Sequence, residues 1–300
     1  LISTQKPAFS DYLLLHLLII FWGGTSILGV FSTLAAPHLV VYRTGLSFFT
    51  LSIILVFREK LVLPKGQNLV WIILAGMFTS FHWTTFFASA QISNVSTCLA
   101  GMSTTALWTC LFEPIFTPKK FRWVEMVLAV LVSAGLVIIY RSDFSMVTGL
   151  VISLLSAFFC SLFTIFNRKL VAFHSPLLLT TYEMGIAFIS SFMVLPLLSQ
   201  WTLVSGFAIP FPKNWDWLNI AFLAWVCTVF AYTASVELMK KFTAFAMNLT
   251  VNLEPVYGIL LGLLIFGQKE QMAPGFYFGL LLIFSGVFIY PFLDKKTKSS

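Results

Sequence analysis

The chain has 300 residues, of which 59% are hydrophobic and only 10% charged, with a mean hydropathy of +0.93. A soluble domain carries about 25% charged residues, so a soluble globular protein is excluded and an all-α integral membrane protein is indicated. The net charge of +7 would elsewhere suggest nucleic acid, but the position of each charge assigns it to the lipid boundary, and no nucleic-acid partner is expected.

Spans of about twenty residues joined by short connections allow roughly ten helices. In chain order the apolar segments are 12–31, 38–57, 69–89, 95–116, 123–140, 147–166, 177–198, 216–234, 243–265 and 274–292. The first is followed by Thr33-Leu34-Ala35-Ala36, which resembles a signal-peptide cleavage site. Its long apolar run, with Trp22-Gly23-Gly24 inside it, reads instead as an uncleaved first span. Cys98, Cys110, Cys160 and Cys227 all fall in apolar segments without metal-ligand spacing. They read as packing residues, and neither a metal nor a cofactor is expected.

Lysine and arginine fix the orientation. Fourteen of them lie in the tails and in the loops after spans 2, 4, 6 and 8, against Arg141, Lys213 and Lys269 in the alternate loops. Both termini are therefore expected on the cytoplasmic side, in a bacterial inner membrane. The remaining basic residue, Arg43, sits inside span 2.

The two halves resemble each other. Tyr42, Arg43 and Gly45 fall against Tyr182, Glu183 and Gly185 at a constant offset of 140, and the spans 133–140 and 284–290 end alike. Five spans per half is an odd number, so the second copy is inverted, an architecture of secondary transporters with the solute site near mid-depth. The expected domains are residues 1–142 and 143–300, as two inverted five-helix repeats around a central cavity.

Span 9 carries the costliest residues. Glu254 precedes Pro255 at mid-depth, and Gly258 and Gly262 follow. A charge at the bilayer centre costs roughly 2.5–3.5 kcal/mol on insertion scales, and Pro255 frees the carbonyl of Val251 one turn back. A glycine-packed helix with a neutral Glu254 is one reading; a broken helix lining a polar cavity is the other and the preferred one.

FWGGTS (21–26), YRTGLSF (42–48), NLEPVYGILLGLLIFGQKE (252–270) and GLLLIFSGVFI (279–289), in this order and topology, resemble the drug/metabolite transporter superfamily, specifically its ten-span EamA-type permeases. The resemblance implies spans 1–4 and 6–9 around the cavity, with spans 5 and 10 peripheral. It implies transport of amino acids, metabolites or toxic compounds. Two departures stand out. The first-half counterpart of the Glu-Pro helix reads STTALW (103–108), without proline, and the usual Gly-Glu after span 9 is Gly267-Gln268-Lys269-Glu270.

Only Glu113, Glu183 and Glu254 lie well inside spans; the other eight acids are placed in tails, loops or span ends, where they can snorkel. A carboxyl group in apolar surroundings is a natural proton carrier, so Glu254 or Glu113 is expected to couple transport to protons. Capping of span 4 near Lys119, Lys120 and Arg122 is the alternative for Glu113. Glu183 is a gating candidate at the position repeat-related to Arg43. Arg43 itself attracts a solute carboxylate or serves as a structural partner. Trp22, His82, Trp83, Trp108 and Tyr182 are candidate cavity walls, which suits amphipathic or aromatic solutes. Asn248 and Asn252 share one face of span 9 near Glu254.

Membrane transferases need clustered aspartates and metalloproteases need His-Glu-x-x-His; neither pattern is present, nor is a GxxxxGK loop. The expected function is secondary-active export of amino acids or related metabolites and drugs, driven by the proton gradient. An importer or exchanger of the same fold is the alternative, and a membrane enzyme or structural subunit a more distant one. The partners expected are a small-molecule solute and the lipid bilayer, with the chain a monomer or homodimer.

Overall fold

The computed structural model describes residues 6–59, 62–140, 147–198, 208–257 and 274–298. Every regular element among them is helical. In chain order these are α1 (Phe9–Gly23), α2 (Thr25–Phe31), α3 (Ala36–Arg58), α4 (Gln67–Ile92), α5 (Val95–Met102), α6 (Thr105–Phe116) and α7 (Trp123–Tyr140). Then come α8 (Val147–Leu170), α9 (Pro176–Leu198), α10 (Asp216–Ala221), a π-helix (Phe222–Phe230), α11 (Ala231–Leu238), α12 (Ala244–Val251) and α13 (Pro274–Lys298). Among the described residues, six stretches are long and apolar enough to cross a membrane: Phe9–Phe31, Ala36–Arg58, Gln67–Ile92, Val147–Leu170, Pro176–Pro196 and Asp216–Leu238. Trp123–Ile138 and Leu281–Leu293 are shorter apolar helices. Gly258, Gly262 and residues 267–270 lie outside the described residues.

Three apolar stretches are interrupted. The first is interrupted at Gly24, between α1 and α2. The fourth breaks at Ser103-Thr104, between α5 and α6. The ninth leaves its helix at Asn252-Leu253 and resumes helical winding at Glu254. At the second break, where proline was absent from the sequence, hydroxyl groups do the work. Ser103, Thr104 and Thr105 donate to the carbonyls of Ala100, Gly101 and Met102 at 2.6, 2.8 and 2.6 Å. These bonds add side-chain donors to the carbonyls at the end of α5, where the Thr104 amide also donates to the Gly101 carbonyl at 3.1 Å.

Two helix pairs record the internal repeat as a reciprocal contact. A Cβ on Gly45 of α3 would stand 3.0 Å from the ring of Phe188 on α9, and one on Gly185 of α9 would stand 2.8 Å from the ring of Phe48 on α3. Each residue of one pair lies 140 positions from its equivalent in the other. The peripheral pair behaves alike: Gly135 of α7 faces Leu282 and Ile283 of α13, while Gly286 of α13 faces Leu131 and Val132 of α7, at an offset of 151. In both pairs the contacts advance along one helix as they recede along the other. The repeat-related helices are therefore antiparallel, as a two-fold axis perpendicular to them requires.

Close approach also fixes α4 on α9. A Cβ at Gly76 would meet the carbonyl oxygen of Glu183 and Cβ of Ile186, both at 2.8 Å. Backbone cannot yield as a side-chain tip can, and overpacking of this kind costs about 1–3 kcal/mol. Gly76→Ala is therefore expected to lower the thermal unfolding midpoint in detergent; an unchanged midpoint would mean that α4 and α9 part freely at this contact.

Candidate functional site

The three interruptions converge on one cavity of about 710 Å³, open solvent at its mouth included. Trp22 and Thr25 reach it from either side of the Gly24 turn, Met102 from the end of α5, and Val251 and Glu254 from either side of the 252–253 turn. The rest of its wall includes the rings of Trp83, Phe86, Phe163 and Tyr232 and the thioethers of Met239 and Met247.

Arg43 enters from α3. It is 3% exposed, and its Nε donates to Thr228 Oγ1 at 2.9 Å. Its guanidinium carbon lies 3.6 Å from the centre of the Trp83 ring, a cation–π arrangement strengthened by desolvation. Thr228 belongs to the π-helix and donates its own hydroxyl to Leu223 five residues back, at 2.8 Å. Trp22 is anchored to the same segment through its indole N–H, which donates to the Cys227 carbonyl at 3.0 Å. The wider winding thus supplies a carbonyl and a hydroxyl to two cavity residues, in keeping with π-segments clustering at functional positions.

His82 has a fixed tautomer. The Ser156 hydroxyl donates to the His82 carbonyl at 2.9 Å, so Nδ1 must itself donate to Ser156, whose Oγ and carbonyl oxygen stand at 2.8 and 3.1 Å. Nε2 is left as the ring's acceptor. Asn248 is held by α6 and α8: its amide donates to Thr109 Oγ1 at 2.7 Å and accepts from Thr164 Oγ1 at 3.3 Å.

Six of the residues singled out in the sequence therefore share the cavity: Trp22, Arg43, His82, Trp83, Asn248 and Glu254. The others lie elsewhere. Trp108 stacks on Phe112 at 6.1 Å and meets Phe158 edge-on at 5.5 Å, outside the lining. Tyr182 donates to the Val62 carbonyl at 3.4 Å. Asn252 is buried behind the wall, with its amide nitrogen lacking a partner among the described residues.

Glu113 sits in an ion-pair cluster at the end of α6. It accepts from Lys119 Nζ at 2.8 Å and from the Ala244 amide, at the start of α12, at 3.3 Å. Lys119 also reaches Glu125 at 2.7 Å, and Glu125 accepts from the Tyr290 hydroxyl at 3.2 Å. Glu183 makes no ion pair among the described residues. Its Oε2 accepts from the Tyr232 hydroxyl at 2.8 Å and from Asn167 Nδ2 at 3.1 Å.

The expectation that the remaining acids snorkel fails for three of them. Asp11, Glu125 and Asp216 are 8%, 2% and 3% exposed, because each has a local set of donors. Asp11 pairs with Lys241 at 2.8 Å. Asp216 accepts from the Ser32 hydroxyl at 2.9 Å and the Thr33 amide at 3.0 Å. Arg168 is likewise buried, since α8 continues one turn past its predicted end. Sequence reasoning also missed Tyr232, Thr228 and Asn167, whose neutral side chains carry no pattern of their own.

The sequence profile of the EamA-like transporter family matches residues 10–141 and again residues 147–290. A solved crystal structure of a protein superposes with a TM-score of 0.73 at 15% identity, covering 97% of this chain and 99% of that one. At that identity the likeness shows the fold. No curated protein matches the chain.

The cluster around Lys119 joins α6, α7 and α12, so its members must act together. Glu113→Gln and Lys119→Met are each expected to lower the thermal midpoint, and the double variant to lose less than the sum, with a coupling of about 0.5–3 kcal/mol. Additive losses would show that Glu113 is held by the Ala244 amide alone.

Proposed function

The chain belongs to the EamA-like transporter family, and from that premise we propose that it is a secondary-active carrier of small organic solutes, exporting amino acids or related metabolites under the proton gradient. Its broad class, a multi-pass membrane transporter, comes with the family. The finer reading is of ten spans in two inverted repeats, residues 1–142 and 143–300, with both termini cytoplasmic in a bacterial inner membrane. The antiparallel, reciprocal contacts of α3 with α9 and of α7 with α13 support the inversion.

One observation carries the solute reading. A single aromatic-walled cavity holds a guanidinium, Arg43, and a carboxyl group, Glu254. An amino acid brings the complementary pair, a carboxylate for Arg43 and an ammonium for Glu254, together with an apolar body for the rings. Aromatic and large aliphatic side chains fit that wall best. At the inner end, Glu113 with Lys119 and Asp11 with Lys241 tie the helix ends together. Access to the cavity from the inner side requires these ties to open, which gives Glu113 a gating role rather than a place beside the solute.

The test is transport by the purified protein in liposomes, with an imposed pH gradient and a pool of labelled L-amino acids. Gradient-dependent uptake is expected. Arg43→Gln and Glu254→Gln are expected to weaken it about tenfold or more, since a charge-assisted hydrogen bond contributes about 1.5–3 kcal/mol. Uptake indifferent to the gradient but accelerated by internal solute would make the protein an exchanger. If none of the pool moves in either mode, amino acids are not its solutes.

A further inference from the structure

Behind the cavity wall lies a carboxyl group that is not part of the lining. Glu183 of α9 has no exposed surface, and it does not line the cavity. Tyr232 separates the two: its ring is part of the wall, edge-on to Trp83 at 5.9 Å, and its hydroxyl is bonded to Glu183 Oε2 at 2.8 Å.

The surroundings of Glu183 are polar but uncharged. Asn167 of α8 donates to both Glu183 Oε2 and the Tyr232 oxygen, at 3.1 and 2.8 Å. Thr79 of α4 stands 3.2 Å from the same tyrosine oxygen. None of the charged groups on the packed helices is bonded to Glu183 among the described residues. Arg43 of α3 is held by Thr228 and Trp83, His82 of α4 by Ser156, and Glu237 of α11 by Lys240 at 2.8 Å. On α8, the Lys169 ammonium lies over the Trp71 ring at 4.2 Å; Arg168 is buried, its Nη1 without a hydrogen-bond partner among the described residues, and it is not among the groups bonded to Glu183. Glu183 Oε1 and Asn167 Oδ1 are both buried without a partner among the described residues.

Such a site is a poor one for a structural acid. A buried carboxylate without a countercharge costs several kcal/mol, and a glutamine would bring a donor of its own into a pocket that holds two unpartnered oxygens. It is also a poor site for a metal ion, which needs open space ringed by oxygens. It suits a proton, because the chain of hydroxyls works in both directions. With Glu183 ionised, Tyr232 donates to it. With Glu183 protonated, its hydroxyl donates to Tyr232, Tyr232 turns its proton to Thr79, and Thr79 donates to the Ala75 carbonyl at 2.9 Å. No heavy atom has to move.

We propose that Glu183 is the proton-binding group of this carrier and that Tyr232, shared between Glu183 and the cavity wall, reports its protonation to the solute site. Uptake is one net step: a hydronium ion gives its proton to Glu183 Oε2 and leaves as water, while the Tyr232 hydroxyl stays neutral and changes from donor to acceptor of the bond between them. Glu254, inside the cavity, then serves the solute, and the two carboxyl groups have separate roles. This rests on the reading of the cavity as a solute site.

The experiment compares wild type, Glu183→Gln, Tyr232→Phe and Glu254→Gln as full-length protein in lipid. Infrared difference spectra between acid and alkaline buffer follow the carbonyl stretch of protonated carboxyl groups. A titrating band is expected in wild type and in Glu254→Gln, shifted in Tyr232→Phe and missing in Glu183→Gln. In liposomes carrying the amino-acid pool, Glu183→Gln is expected to keep solute counterflow and an undiminished thermal midpoint. Its gradient-driven accumulation is expected to fall by about 5–150-fold, the usual range of a coupling between two sites. An infrared titration of Glu183→Gln identical to wild type would overturn the proposal, as would full gradient-driven accumulation, or loss of counterflow together with accumulation. If wild type moves none of the pool, the solute reading falls, and the infrared titration alone still decides whether Glu183 binds the proton.

Discussion

In hydrocarbon every backbone N–H and C=O must find a partner within the protein, and this constraint organises the molecule. A cavity at mid-depth needs polar groups, and the chain obtains them by interrupting helices where other side chains can complete the bonding. At Ser103-Thr104 three successive hydroxyls return to the carbonyls left at the end of α5. In the Phe222–Phe230 segment the winding itself is widened, and Trp22 and Arg43 take up the Cys227 carbonyl and the Thr228 hydroxyl. The π-helix thus holds two wall residues in place, and replacing it by regular α winding would release them.

The same constraint sorts the ionisable groups. Arg43 and Glu254 meet the cavity, where solvent or solute can answer their charge. Glu113 and Glu125 answer Lys119, while Asp11 answers Lys241. Among the described residues two buried acids have only neutral partners: Asp216, at the start of α10 among hydroxyl and amide donors, and Glu183, within α9. Charge pairing and those donors therefore account for the ends of the molecule, and the middle is left for chemistry that changes with protonation or binding.

Much of this was legible in the sequence wherever a residue was costly. Glu254 beside Pro255 marked the broken ninth span, and the 140-residue offset between Arg43 and Glu183 matches the spacing at which Gly45 and Gly185 exchange Phe188 and Phe48. What escaped were groups whose meaning depends on a distant partner. Glu125 looks like a span-end acid until Lys119 and Tyr290 close on it. STTALW looks like the loss of a proline until its hydroxyls are seen bonding backward. The π-winding has no signature, because an apolar run such as FLAWVCTVF fits either helix equally well. Trp108 was misplaced for a related reason: aromatic residues are so frequent here that ring type alone cannot distinguish a cavity wall from the Phe112–Phe158 stack.

Repeat symmetry also shows why positions 43 and 183 differ in chemistry while sharing a place in the fold. Both are buried on helices that face each other antiparallel, yet one carries a cation into the cavity and the other an acid behind its wall. Both answer to the same segment. Thr228, which holds Arg43, and Tyr232, which holds Glu183, lie one turn apart, with the change from π to α winding between them. Any change in that winding turns Thr228 against Tyr232 and alters the grip on both charges together. A two-state element biased from two sites is what coupling between them requires, and on the reading of Glu183 as the proton site the short stretch from Thr228 to Tyr232, across the end of the π-helix, is where solute and proton would sense each other.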